Sequence, residues 1–235
     1  MRKKFVVTSV LMSAALLLGT TSAFAATTST GNSQATITFT TIKPPIIVDP
    51  ENPDPEDPYD PIGDGGNEPT GNTGPLTLDY APDFNFGSHE ALATNSAVYQ
   101  ALDKKPFLQV TDRRAIRSQW DVKVKLGAFE NSETSEESLA GTKLSIKNGI
   151  VKSVIGLTGV AAPTTQDIEL TAGAADGTTI LSSAAGTFST WLVYWPGDLV
   201  GQDPNDRISL NVPVNTQVEG THTATLEWVL SDVVN

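Results

Sequence analysis

The chain has 235 residues, 39% of them hydrophobic, with 27 acidic against 15 basic side chains, a net charge of −12 and no cysteine. That length and apolar fraction suit one ordinary domain with accessory segments. The missing thiols exclude disulfides, a thiol nucleophile and thiolate metal ligation, and the negative charge excludes binding of nucleic acid or anionic lipid by bulk electrostatics.

Residues 1–25 have the three parts of a secretory signal peptide: basic Arg2, Lys3 and Lys4, an apolar run from Phe5 to Leu18, and the small-x-small pattern Ala23-Phe24-Ala25. The run is too short for a span, which needs about 20 residues. Cleavage after Ala25 makes the chain three charges more negative and leaves no integral membrane protein. The end, Ser231–Asn235, carries neither a hydrophobic tail nor a Leu-Pro-x-Thr-Gly sorting motif, so attachment to a surface is expected to be non-covalent.

Residues 26–43 hold a short N-terminal strand, Gln34–Thr40, in which Thr alternates with Ala35, Ile37 and Phe39. This strand is expected to join the domain, with an edge position as one option. Residues 44–75 are rich in Pro, Asp and then Gly, and predict a flexible linker or loop, since little apolar area opposes the entropy of ordering and the acids repel. The β-domain spans 76–235. Alternating strands are predicted at 76–80, 119–126, 142–147, 166–171, 207–214 and 223–230, further strands at 107–112 and, strongly apolar and aromatic, at 188–195, and a hairpin at Asn148-Gly149. The Ala-rich stretch 90–102 offers at most a turn or two of helix. The fold class expected is all-β: an antiparallel β-sandwich, Greek-key or immunoglobulin-like, with a disordered Pro/Asp-rich segment.

Two strands carry a tryptophan two residues before an aliphatic residue: Trp120-Asp121-Val122 and Trp228-Val229-Leu230. In phase with Val124, Leu126 and Leu226, these motif residues, Trp120, Val122, Trp228 and Leu230, read as core rather than ligand contacts. Trp228→Ala is accordingly expected to unfold the domain. Better ligand candidates are Tyr194 and Trp195, at a strand end before Pro196-Gly197, and the basic turn of Arg113, Arg114 and Arg117. Enzyme signatures such as Gly-x-Ser-x-Gly or His-Glu-x-x-His are missing, so no catalytic residue, cofactor or metal is assigned. His89 and His222 read as surface or turn residues. Asp198, Asp203, Asn205 and Asp206 could offer oxygens to calcium, but turn chemistry explains them better.

The ordered set of Ala35–Phe39, the Pro/Asp tract, Leu76–Pro82, Phe84-Asn85-Phe86-Gly87, Gln109–Arg113 before Trp120, and Ala224–Asp232 resembles the WxL-domain surface proteins of low-GC Gram-positive bacteria. The resemblance implies a secreted protein held non-covalently at the cell wall, with peptidoglycan or another wall glycan as ligand. It also implies work in a complex with other surface proteins. Two departures stand out: Val122 replaces the motif leucine, and the loop 114–119 lacks the usual glycines. An adhesin for a host or environmental extracellular ligand is the alternative, and a wall-active hydrolase a remote one.

Overall fold

The computed structural model describes residues 33–40, 42–92, 94–197 and 204–233. The expected signal peptide, 1–25, lies outside them, as do Asp198 and Asp203. The chain divides into two units, 1–40 and 41–235. In the first, residues 33–40 have no regular secondary structure and are exposed throughout.

In the second unit, alternation of β-branched or aromatic residues with polar ones gives strands and, among the described residues, no helix. In chain order these are β1 (Leu76–Tyr80), β2 (Ala97–Ala101), β3 (Phe107–Asp112), β4 (Gln119–Leu126), β5 (Phe129–Asn131), β6 (Glu137–Ser138), β7 (Lys143–Ile146) and β8 (Ile150–Ser153). They continue as β9 (Thr164–Thr165), β10 (Ile168–Thr171), β11 (Thr178–Ser182), β12 (Ser189–Tyr194), β13 (Asn205–Val212), β14 (His222–Thr223) and β15 (Leu226–Val233). They form antiparallel sheets ordered β1-β3-β12-β8, β10-β7-β13-β2, β15-β4-β11-β9 and a small β14-β5-β6. Among the described residues only β5 and β6 are neighbours both in sequence and in a sheet. Every other connection carries the chain from one sheet to another, the trait of a sandwich rather than a meander.

One core joins the sheets. Trp120, Val122, Val124 and Leu126 of β4 meet Leu108 and Val110 of β3, Trp191 and Val193 of β12, Leu144 and Ile146 of β7, and Ile208 and Leu210 of β13. The two tryptophan strands are direct neighbours: β15 runs antiparallel to β4 over eight residues, with Trp228 opposite Val124 and Asp232 opposite Trp120.

Part of the Pro/Asp-rich segment packs as a strap. Ile47 and Val48 are buried in a second cluster with Tyr80, Phe107, Leu192 and Tyr194, on the side of the first sheet away from the main core. Gln109 clamps the strap, accepting from the Val48 amide at 3.1 Å and donating to the Ile46 carbonyl at 2.9 Å. Lys105 sits among Asp49, Glu51 and Asp64 at 3.6, 2.9 and 3.4 Å, so one cation offsets the repulsion that argued for disorder. The strap also explains why all six residues of β3 are buried, whereas alternation alone implies one wet face. Asn148-Gly149, in turn, does not make a hairpin. β7 and β8 lie in different sheets, and Asn148, at φ 55°, bends the chain between them. A Cβ at Gly149 would lie 2.7 Å from Val193 and 2.8 Å from the Trp195 indole nitrogen, so glycine is needed for close packing here.

Candidate functional site

A groove of about 660 Å³ opens at the end of the sandwich where β4 finishes and β15 begins. Alternation sets its apolar lining. Leu126 and Phe129 come from the β4–β5 stretch, Leu226 from β15, and Leu144, Leu210 and Val212 from the facing sheet. The segment between β1 and β2 forms one wall and contributes Phe84 and Phe86, both half-buried against the core. Asn85, between them, is tied down on both sides: its amide donates to Asp103 at 2.8 Å and its carbonyl accepts from the Leu102 amide at 2.8 Å. Its side-chain oxygen then accepts from the Gly87 amide at 2.8 Å, where φ is +79° and a side chain would press on Leu102. The period of two around this pinned residue points the two phenylalanine rings the same way.

The rim is polar. Gln217 ties the loop after β13 to the phenylalanine wall: its side-chain oxygen accepts from the Leu92 amide at 3.0 Å and the Tyr99 hydroxyl at 2.9 Å, and its amide nitrogen donates to the Asn95 carbonyl. His89 stacks on Tyr99 with centroids 4.2 Å apart. The partner of its Nε2 is the Phe86 carbonyl at 2.6 Å, which can only accept, so Nε2 carries the proton. By the same reasoning His222 donates from Nε2 to the Val218 carbonyl, and in the neutral ring its Nδ1 accepts from the Ser138 hydroxyl. Both histidines thus hold loops in place beside the groove. Gly220, at φ 128°, leaves room for Asn131, which donates to the Glu219 carbonyl. The site is a preformed cleft with aromatic and aliphatic walls and amide, hydroxyl and imidazole groups at its edge, the usual build of a small-ligand or oligomer seat.

The residues singled out from sequence lie elsewhere. Tyr194 and Trp195 are 3% and 1% exposed, so the expected surface platform is inside the molecule. The strap covers Tyr194, whose hydroxyl is pushed up to about 12, first by burial and then by the nearby Glu51 carboxylate. Trp195 lies under Gly149. Arg114 is committed to the fold. It pairs with buried Asp112 at 2.8 Å and with Asp232 at 2.6 Å, and it also reaches Ser118. Arg113 donates to the Lys43 carbonyl, and the Arg117 guanidinium lies 3.6 Å over the Phe188 ring. This arginine turn flanks the opposite end of the β4–β15 pair from the groove, since Gln119 there faces Val233. Of the motif residues, Trp120 and Val122 are fully buried, while Trp228 and Leu230 are half-buried against the core. Asn205 of the suggested calcium loop is buried, donating to the Asp103 and Trp195 carbonyls. Sequence reasoning missed Phe84 and Phe86 as site residues. Their alternation around Asn85 and the following Gly87 was the available signal.

A sandwich of antiparallel sheets with a preformed, aromatic-walled groove at one end has the build of a ligand-binding module. Among the described residues no helix is long and apolar enough to cross a membrane. The chain belongs to the WxL family: the model of the WxL domain, described as surface cell wall-binding, matches residues 26–233. It is therefore a cell-surface protein with a cell-wall binding role. No curated protein and no solved structure matches it.

Proposed function

We propose that the protein is secreted by a Gram-positive bacterium and binds peptidoglycan non-covalently, seating the glycan in the groove walled by Phe84, Phe86 and Leu226. It acts as a binding module, not a catalyst, and helps to hold a complex of surface proteins at the wall. The observation that carries the reading is the groove itself. Sugar rings present C–H faces that pack on aromatic rings, and hydroxyl and acetamido groups that need partners such as those of Gln217, Thr221 and His89. The family match begins at residue 26, directly after the expected cleavage site, which supports secretion. The net charge of −12 supports a contact made by stacking and hydrogen bonds, since anionic wall polymers repel such a chain.

Co-sedimentation with purified sacculi tests the proposal. The wild type is expected to pellet with sacculi, and more strongly as added salt screens the repulsion. Phe86→Ala is expected to weaken retention about tenfold, or ~1.4 kcal/mol, and to stay folded with a urea midpoint lowered by the loss of a half-buried ring. Full retention by a folded Phe86→Ala protein would remove the groove from the account. No retention of the wild type would remove direct wall binding. Muropeptide release during incubation would contradict the non-catalytic role.

A further inference from the structure

The strand β15 ends its sheet with an open edge. Gly127 donates to the Thr225 carbonyl, so alternation turns the N–H and C=O groups of Leu226, Trp228, Leu230 and Asp232 away from β4. No other strand pairs with that side among the described residues. The edge is unusual within this molecule. β1 is capped by Thr70, whose amide donates to the Asp79 carbonyl, and its own register slips at Tyr80. β2 pairs through a register shift, β8 and β10 have four residues each, and β9 has two. β15 alone offers eight residues in unbroken register, with no proline and no lysine, the devices that natural edges use against pairing. Its inward side chains Leu226, Trp228 and Leu230 stay half-buried against the core.

The chain also carries a strand in search of an edge. Gln34–Thr40 alternates Ala35, Ile37 and Phe39 with Gln and Thr, bears no charge, and leaves Ile37 and Phe39 76% and 86% exposed. We propose that the open edge of β15 takes up residues 34–40 of a second copy of this chain, and that reciprocal exchange makes a closed twofold dimer. Seven residues match the length of the edge. Their period of two places Ala35, Ile37 and Phe39 on the face of Leu226, Trp228 and Leu230, where each covers the other. Their neutrality suits an edge that carries Glu227 and Asp232. Exchange of one strand in each direction is isologous and stops at two copies. The contact is smaller than about 1,200 Å² per strand, the size of weak and transient interfaces, so crowding at a surface favours it.

The chain has no cysteine, so disulfide trapping has no background. Thr38→Cys protein and differently tagged Val229→Cys protein, mixed and oxidised, are expected to give a covalent heterodimer, and sedimentation of the wild type is expected to approach the mass of two chains as concentration rises. Ile37→Asp with Phe39→Asp should abolish both. These two side chains are exposed, so the urea midpoint should not move. Three results would overturn the proposal: a monomer at every concentration with no trapped heterodimer, a dimer that survives the two aspartates, or a Thr38→Cys/Val229→Cys double variant that closes only within a single chain.

Discussion

The strands β4 and β15 carry the same motif, lie side by side in one sheet, and treat it differently. β4 is flanked by β15 and β11, and its Trp120 is 1% exposed. β15 has one neighbour, and its Trp228 remains half-buried. The alternation of side chains is the same, so the difference comes from position: an interior strand has covered neighbours on both sides, an edge strand on one. A tryptophan two residues before an aliphatic residue therefore marks a core face without setting how deep that face lies. The contrast also corrects the expectation that Trp228 is as indispensable as its counterpart.

Stability measurements can break this comparison. Trp120→Ala is expected to cost about 4 kcal/mol, the range for an indole lost from a closed core, and to leave little folded protein at moderate urea. A loss below about 1 kcal/mol would mean that the core collapses around the gap. Arg114→Ala follows at roughly 3 kcal/mol, because it strands the buried Asp112 carboxylate at the far end of the same strand pair. Trp228→Ala should cost only about 1–2 kcal/mol and give a folded protein, since much of the ring already touches solvent. Equal losses at Trp120 and Trp228 would erase the distinction between the two strands.

The smallest effect concerns pH. Asp79 is 2% exposed beside the strap, and burial raises its carboxyl above the usual range despite hydrogen bonds from Thr111, Thr77 and Gln109. A raised pKa in the folded chain means that protonation favours folding. That stabilisation is complete below the unfolded value of 3.8 and is lost as pH rises through the folded value. Stability of the wild type relative to Asp79→Asn should therefore fall as pH rises above the unfolded value of 3.8, measured by urea unfolding at several pH values. A flat or rising difference would mean that the three hydrogen bonds outweigh burial.

Much of the fold was legible because half-buried strands advertise themselves. β4 and β13 follow from alternation over eight residues, and β12 from an unbroken apolar and aromatic run. β11 escaped notice although it lies at the centre of its sheet, because Thr178–Ser182 is short and follows a small, Gly-rich stretch. The groove was scarcely legible. Its walls come from segments more than a hundred residues apart, joined by such contacts as Gln217 with Leu92. Tyr194 and Trp195 illustrate the reverse error: a strand end before Pro-Gly looks exposed until the strap and Gly149 are known to cover it.

Sequence alone determined the all-β class, the strands that carry the core, the family and the cell-surface setting, because these rest on local periodicity and an ordered set of short motifs. Tertiary structure alone decided which sheet each strand enters, that the acidic strap packs around Lys105 and Gln109, and where the open surfaces lie. Those outcomes depend on contacts between residues distant in the chain, which no local pattern encodes. The two tryptophans show the division plainly: their phase could be read from the letters, but only the sheet order made one of them interior and left the other at an edge.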